Sequence, residues 1–253
     1  VNVDLIHGLP HQTTDSFRRT LDLVHELRPD RIACYGYAHV PWLKKHQRII
    51  PETALPRGKA KMDLYLAALQ SFRDHSYEPI GMDHFALPND ELAVAARAGT
   101  LHRNFMGYTT HPAEDMVAFG MSAISEVAGA FAHNHKDIRS WQAEIEQGQL
   151  PTDRGLLRSE EDERRRRVIL DMICRFRVDF ADHDGSEEFR RRYQPELERL
   201  QPMADDGLAR ITDEAILVTD TGRLFVRNLC MVFDAYLNAP ETTDKGPRFS
   251  RTV

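Results

Sequence analysis

The sequence has 253 residues, with 33 lysine and arginine residues against 39 aspartate and glutamate residues, which gives a net charge of −6. This acidic excess argues against a dedicated binder of nucleic acid or of anionic membranes, because such proteins carry a basic surplus. Three cysteines are too few for a secreted disulfide scaffold, and no apolar run approaches the roughly 18 residues of a membrane-spanning helix. We therefore expect a cytoplasmic monomer of mixed α/β structure that binds neither nucleic acid nor membrane.

A strand, a helix and a second strand are predicted at the start of the chain. Val1–Ile6 is rich in β-branched residues, and Thr13–Ser16 provides N-cap candidates for a helix with one apolar face. Arg31–Tyr37 is the second strand, so the order predicts a parallel βαβ unit. Because two parallel strands cannot cover their own faces, we expect the chain to begin within a larger domain.

The middle of the chain is predicted to mix helices with polar loops. Lys59–His75 has the periodicity of a helix, and Asp90–Ala98 is a shorter one. A short strand-like piece ends at residues 81–85. Pro151–Gly155 is interpreted as a boundary, which divides the chain into regions 1–150 and 151–253. The predicted buried face of the first helix consists of Met62, Leu66, Leu69 and Phe72.

The region 151–253 is predicted to be mostly helical. Ser159 opens a long helix in capping-box style, a second helix covers Glu188–Ala204, and a hairpin at 209–218 precedes a last helix capped by Thr219. The order is that of a winged-helix-like module, but 13 basic residues against 18 acidic ones between 159 and 236 favour structural packing over DNA contact. The polar tail from Asn238 is predicted to be loose. The predicted inward residues are Ile169, Met172, Ile173 and Phe176 in the long helix and Leu224, Leu229, Phe233 and Tyr236 in the last one.

Two candidate binding residues lie near the ends of the first two strands. Parallel α/β sheets bind ligands at the carboxyl ends of their strands. A carboxylate at Asp4 can accept hydrogen bonds from an ammonium group or from ribose hydroxyls, and the small Ala38 lets a ligand lie against the backbone. The alternative is that Asp4 only hydrogen-bonds the following turn.

His102–Thr110 is the densest cluster of polar and aromatic residues. Arg103 is a permanent cation whose planar fork matches carboxylates, and His102 and Tyr108 add a titratable base and a phenol. The cluster suits an anionic substrate with an apolar ring body, and the alternative is a loop held by an arginine salt bridge. Asp83 and His84 are a possible acid/base pair, but adjacent strand residues point to opposite faces, so we do not expect a direct contact.

Motifs for bound metals and for phosphates are absent from the sequence. None of the 12 histidines has the spacing of a zinc site, and no phosphate-loop, Rossmann or serine-hydrolase motif occurs. We therefore expect no protein-bound metal. Cys34, Cys174 and Cys230 lie in strand-like or apolar helical contexts, which favours core packing.

Several segments resemble the oxygen-independent coproporphyrinogen III dehydrogenase (oxidase) family of the radical S-adenosylmethionine superfamily. The opening V-D-L-I-H-G-L-P is shared with related branches, including heme chaperones. The Y-A-H-x-P and H-R-N-F-x-G-Y-T-T segments are much more specific. The resemblance covers essentially the whole chain through residues 3–10, 37–41, 81–86, 101–110, 120–125 and 227–231.

The resemblance implies oxidative decarboxylation of two propionates of coproporphyrinogen III to vinyl groups, which gives protoporphyrinogen IX. It implies a [4Fe-4S] cluster, two S-adenosylmethionine molecules, a 5′-deoxyadenosyl radical and a one-electron donor or acceptor. By position, Asp4 and Ala38 match residues that line the second S-adenosylmethionine, and Ile124 matches one that lines the first. His102, Arg103 and Tyr108 are candidates for the substrate side. The implied fold is the C-terminal part of a partial parallel (β/α) barrel, followed by the helical domain.

One departure from the family is large. The family holds its cluster with a C-x-x-x-C-x-x-C loop, and this sequence contains no such motif. We therefore expect this chain to be the C-terminal half of such an enzyme, to hold no cluster and to be inactive alone. Two alternatives stay open: a non-catalytic heme- or porphyrin-binding protein or heme chaperone of the same superfamily, and a generic α/β binding domain.

Overall fold

The structure is a computed structural model that describes residues 1–113 and 115–237. Within these two ranges, no helix combines the length and the apolar character needed to cross a membrane. The tail from Asn238, which the sequence predicts to be loose, lies outside the described residues. Helices and strands alternate through the described part, which confirms the α/β class.

The predicted βαβ unit is present at the start of the chain. Strand β1 (Asn2–His7) pairs in parallel with β2 (Arg31–Gly36), and helix α1 (Thr14–Leu27) connects them. The side chain of Thr13 accepts a hydrogen bond from the Ser16 amide, and Ser16 completes a capping box. This reciprocal pairing satisfies amides that would otherwise lack partners at the helix start.

A tight hairpin extends the first sheet on the far side of β2. Strands β3 (Glu78–Gly81) and β4 (His84–Ala86) pair antiparallel, and β4 pairs antiparallel with β2, so the order is β1-β2-β4-β3. Helix α2 (Lys59–Asp74) confirms the predicted helix, and two 3₁₀ turns, Lys45–Ile49 and Glu52–Ala54, precede it. Its predicted buried face was wrong at Leu66, which is exposed, because the helix turns Leu64, Ala68, Leu69 and Phe72 toward the core.

The middle of the chain contains a second sheet that was not predicted from the sequence. Helix α3 (Glu91–Ala98) follows the first sheet and leads into a separate hairpin of β5 (His102–Asn104) and β6 (Gly107–Thr109). The missed sheet contains β7 (Ile124–Val127), β8 (Ala130–Asn134) and β9 (Thr152–Leu157), and helix α4 (Ile138–Glu146) lies between β8 and β9. The segment expected to be a boundary lies at β9, which pairs with β8, and the division at residue 150 stays a prediction.

The remaining elements are helices around a small antiparallel sheet. The predicted long helix begins at the capping box of Ser159, as expected, but the single helix predicted over 188–204 is two helices that meet at Tyr193. Pro195 lies in the first turn of the second helix, where a missing amide hydrogen costs nothing. Thr219 caps a helix as predicted, but this helix has four residues and is followed by a separate helix, whereas one last helix was predicted. Tyr236 is exposed rather than inward. The elements are α5 (Glu160–Arg175), β10 (Arg177–Asp179), α6 (Ser186–Arg192), α7 (Gln194–Asp205), β11 (Ala209–Ile211), β12 (Ala215–Val218), α8 (Asp220–Arg223) and α9 (Val226–Val232), with a 3₁₀ turn at Phe180–Asp182.

Two hydrophobic clusters form the core. The smaller one lies between the first sheet and helices α1 and α2. The larger one extends from Ile80 and Tyr108 through α5 to Phe233, so it connects the first sheet with the C-terminal helices. In the long helix α5, the prediction of buried Met172 and Ile173 is confirmed, whereas Phe176 is the left-handed residue that ends the helix.

One buried hydroxyl gives a stability prediction. Tyr193 is 2% exposed, and its hydroxyl has no hydrogen-bond partner within the described ranges. Removing a buried donor that lacks a partner relieves a desolvation cost of about 1 kcal/mol or more. We expect Tyr193→Phe to raise the free energy of unfolding by about 1 kcal/mol, measured by urea denaturation.

The matched control for this substitution is Tyr77→Phe. The Tyr77 hydroxyl donates to the Pro29 carbonyl oxygen at 2.7 Å, so its removal leaves a buried acceptor unpaired. We expect the free energy of unfolding to fall by about 1 kcal/mol in this variant. An equal loss in both variants would show that the Tyr193 hydroxyl is stabilising.

Candidate functional site

A large cavity lies at the carboxyl ends of β1 and β2. It has a volume of about 840 Å³ and is closed by α2 on one side and by α8 and α9 on the other. Open α/β sheets bind ligands at this edge, and the volume is within the usual range for small-molecule sites. Its lining includes Ala38 together with His7, Lys61, Tyr65, Asp83, Arg227 and Asn228.

A neutral histidine lies in the wall of this cavity. His7 is 7% exposed, and burial together with the nearby Lys61 ammonium lowers its pKa from 6.5 to about 4. Burial also lowers the pKa of Lys61. The aliphatic part of the Lys61 side chain packs against Gly8 and Gly36. A Cβ atom placed on Gly8 would lie 3.5 Å from a Lys61 carbon, and one placed on Gly36 would lie 3.6 Å from it. His7 can therefore serve as a neutral hydrogen-bonding group near neutral pH.

Two polar atoms in the lining lack partners. The Nδ1 atom of His7 and the Oδ1 atom of Asn228 are buried and have no hydrogen bond within the described residues. Neither residue was predicted as a site residue, although both lie in segments that carry the family resemblance. The signal for His7 is its position, since it is the last residue of an apolar strand and directly precedes a glycine. No comparable local signal marks Asn228, which reaches the cavity only through the packing of α9.

Asp83 and His84 form the direct pair that the sequence analysis did not expect. The distance between Asp83 Oδ1 and His84 Nδ1 is 2.7 Å. The expectation was wrong because Asp83 lies in the turn before β4, after Met82 with a φ of +48°, and not within a strand. The alternation of strand side chains therefore does not apply to it. The carboxylate orients the imidazole, which contacts the rings of Tyr35 and Tyr108 edge-on at 6.1 and 5.3 Å between centroids.

Asp4 lies on the opposite face of the first sheet from His7. It is exposed and accepts a hydrogen bond from the Asn2 side-chain amide at 3.0 Å, rather than bonding the following turn. A carboxylate has about four acceptor positions, so this one bond leaves capacity for an ammonium group or for hydroxyls. Asp4, Ala33 and His84 are register partners across three strands and therefore share one face of the sheet.

The structure does not bring the three predicted S-adenosylmethionine residues into one cavity. Ala38 lines the 840 Å³ cavity, whereas Asp4 lies outside its lining. Ile124 is half-buried at the start of β7 and pairs with His133 in the second sheet. Their assignment to this ligand stays a prediction.

The predicted substrate-side residues lie on the β5–β6 hairpin. The Arg103 guanidinium carbon is 4.6 Å from the centre of the Tyr108 ring, and the Tyr108 hydroxyl donates to the Ile173 carbonyl oxygen at 2.9 Å. Burial raises the pKa of Tyr108 well above its ordinary value, so the phenol stays protonated. Of the three, His102 and Arg103 line a second cavity of about 460 Å³ against α5. Within the described residues no carboxylate forms an ion pair with Arg103, so the alternative of a salt-bridged loop is not observed.

The cysteines of the chain do not fit a [4Fe-4S] cluster. Cys34, Cys174 and Cys230 are buried in β2, α5 and α9, and burial raises each thiol pKa to about 12. The thiolate is the form that binds metal, so these thiols are poor ligands near neutral pH. Across residues 1–113 and 115–237, no group of three or more histidine, cysteine, aspartate or glutamate side chains could hold a metal ion.

The chain is similar to enzymes of one family along its whole length. Residues 159–225 match the family model described as the HemN C-terminal domain. The chain is 40% and 43% identical to the oxygen-independent coproporphyrinogen III oxidases of Synechocystis sp. and Salmonella typhimurium, matching 100% of this chain and 55% of each relative. It is 38% identical to the oxidase of that name from Thermostichus vulcanus, of which it covers 78%.

A solved structure of a related enzyme has the same fold as the chain. The chain superposes on coproporphyrinogen III oxidase (HemN) from Escherichia coli, described as a radical SAM enzyme, with a TM-score of 0.87 and 43% identity. The match covers 93% of this chain and 55% of that one. The fold is therefore an α/β fold of the radical SAM enzyme class. The chain belongs to the oxygen-independent coproporphyrinogen III oxidase family, as the resemblance implied, and it spans about half the length of several relatives that it matches.

The buried neutral state of His7 predicts a pH dependence of stability. Because its folded-state pKa is lowered from 6.5 to about 4, the unfolded chain takes up a proton in this range that the folded chain does not. Stability falls as the pH drops through this window, by up to about 3 kcal/mol. We expect His7→Gln to reduce the loss between about pH 7 and about pH 4.5 by about 2 kcal/mol, measured by denaturant unfolding. The exposed His46→Gln variant serves as the control and should keep the full loss.

The state of the cysteines predicts the outcome of anaerobic reconstitution with ferrous iron and sulfide. We expect this chain to show no iron–sulfide charge-transfer absorbance above that of a folded variant carrying Cys34→Ala, Cys174→Ala and Cys230→Ala. The reason is that buried, protonated thiols on three separate elements cannot ligate one cluster. About one cluster per chain, lost in the triple variant, would contradict this reading.

Proposed function

We propose that this chain takes part in the anaerobic oxidative decarboxylation of coproporphyrinogen III to protoporphyrinogen IX, as part of a radical S-adenosylmethionine oxidoreductase of heme biosynthesis. The observation that carries the proposal is the fold match over 93% of the chain at 43% identity to an enzyme named coproporphyrinogen III oxidase. The described cysteines do not fit the cluster, so no reaction step through it is assigned to this chain. We expect the chain alone to be inactive.

The proposal includes a finer description of the fold. Residues 1–150 would contribute the last strands of a partial parallel (β/α) barrel, and residues 151–253 a helical, winged-helix-like domain. The parallel pairing of β1 with β2 supports the first part. The β11–β12 hairpin, which lies between α7 and α8, supports the second part.

The proposed cofactor contacts are Asp4, Ala38 and Ile124. Asp4 supports this role because its exposed carboxylate can accept hydrogen bonds from the ammonium group or ribose hydroxyls of S-adenosylmethionine. Ala38 supports it because a small side chain in the cavity wall leaves room for a ligand. The oriented imidazole of His84 adds a hydrogen-bonding group on the same sheet face as Asp4.

The proposed substrate contacts are His102 and Arg103, with Tyr108 as the ring that supports Arg103. The substrate is a tetracarboxylate with an apolar macrocycle, and a guanidinium matches a carboxylate through two parallel hydrogen bonds. Tyr108 uses its hydroxyl on Ile173, so its part is to hold Arg103 against the ring face. The other proposed partner is a one-electron donor or acceptor. The net charge of −6 supports a protein that binds neither nucleic acid nor membrane, and we propose a cytoplasmic monomer.

A chimera tests the proposed function. This chain would replace the matching part of the Escherichia coli oxidase, and coproporphyrinogen III conversion would be assayed anaerobically with S-adenosylmethionine and a reductant. We expect conversion, and we expect Asp4→Ala to lower kcat/KM for S-adenosylmethionine by about tenfold or more, because a charged hydrogen bond contributes about 1.5–3 kcal/mol.

The control variant is Asp22→Ala, which removes an exposed carboxylate from α1 and should retain the activity of the chimera. A folded, cluster-loaded chimera that binds coproporphyrin III without converting it would move the assignment to the porphyrin-binding alternative. A chimera that neither binds nor converts would contradict both.

A further inference from the structure

The 460 Å³ cavity between the β5–β6 hairpin and α5 carries an excess of positive charge. Among the described residues, five arginines and three carboxylates line it. The rest of the lining contains three histidines, other polar and apolar side chains, and the thiol of Cys174, whose pKa burial raises to about 12. The charged residues are Arg103, Arg158, Arg166, Arg167, Arg175, Glu126, Asp171 and Asp182.

Three of these arginines already have counter-ions inside the protein. Arg158 and Arg166 both form ion pairs with the buried Glu126, at 2.7 and 3.0 Å. Arg175 forms an ion pair with Asp171 at 3.0 Å. These pairs fix the wall of the cavity. Among the described residues they leave two arginines and one carboxylate of the lining, Asp182, without ion-pair partners.

Among the described residues of the lining, Arg103 and Arg167 are the arginines that form no ion pair. Arg103 packs on the Tyr108 ring, and its buried Nη1 atom has no acceptor within the described residues. Arg167 is exposed on α5, and across the described part of the chain it forms neither an ion pair nor a hydrogen bond. The two arginines line the same cavity from different elements, the hairpin and the helix.

We propose that this cavity binds a compact oxyanion, a carboxylate or a phosphate, between Arg103 and Arg167. A planar guanidinium matches both groups bidentately, and hydrogen bonds to charged partners are about twice as strong as neutral ones. A bound anion would neutralise the two charges and give the unpaired donor of Arg103 an acceptor after a small rotation of the side chain. The inference stands on these residues and does not require the proposed function.

Titration calorimetry with inorganic phosphate on the 253-residue chain tests the proposal. We expect saturable binding that weakens about tenfold in Arg103→Gln and in Arg167→Gln, and that is unchanged in Arg18→Gln, which removes an exposed charge from α1. If Arg103→Gln fails to fold, Arg167→Gln still tests the proposal, because Arg167 is exposed and its replacement leaves the core intact. In the double variant, the loss should be smaller than the sum of the single losses, because both arginines contact one anion.

A second titration distinguishes the source of the anion. If coproporphyrin III displaces phosphate, the site takes a tetrapyrrole carboxylate; if both bind independently, the site takes a free oxyanion. Either result supports the proposal. Two results would overturn the proposal. The first is phosphate binding weaker than about 10 mM with no competition between coproporphyrin III and phosphate. The second is an equal phosphate affinity of the Arg167→Gln and Arg18→Gln variants.

Discussion

The hydrogen bond from the Tyr108 hydroxyl to the Ile173 carbonyl oxygen joins the first sheet to the C-terminal helices. Tyr108 belongs to the β5–β6 hairpin, Ile173 to α5, and the hydroxyl lies directly against Gly81 at the end of β3. A Cβ at Gly81 would come within 2.3 Å of the hydroxyl oxygen, so only glycine fits. This three-way contact lies in the core cluster that extends to Phe233, and it fixes the hairpin relative to both neighbours.

The position of the hairpin then determines the electrostatics on its two sides. On the sheet side, Asp4 and Asp83 add to the effect of burial and raise the pKa of Tyr35, while Arg103 opposes them. On the α5 side, Arg103 contributes to a cavity in which arginines outnumber carboxylates. The Arg103 guanidinium, which packs on the Tyr108 ring, therefore opposes the rise of the Tyr35 pKa on one side and adds to the arginine excess on the other.

The elements that depend on residues close together in the sequence were predicted correctly. The βαβ unit followed from apolar spacing and strand composition, and the start of α5 followed from Ser159 and the acids after it. The β7–β8–β9 sheet was missed because β8 is half-buried and β9 exposed along their whole lengths, which leaves no alternation of apolar and polar residues. The direct Asp83–His84 contact depends on a left-handed residue at Met82 that strand periodicity does not reveal.

The candidate site residues also fall into two groups: those that one hairpin brings together, and those that only the overall fold brings together. Arg103 and Tyr108 are two positions from the turn of one hairpin, and their proximity follows from its register. His7, Lys61 and Asn228 lie far apart in the sequence and line one cavity only because α2 and α9 close over the ends of β1 and β2. A ligand with a cationic group and a ligand with several carboxylates need opposite potentials. The proposed function assigns the first kind of ligand to the exposed Asp4 carboxylate and the second to the arginine-lined cavity.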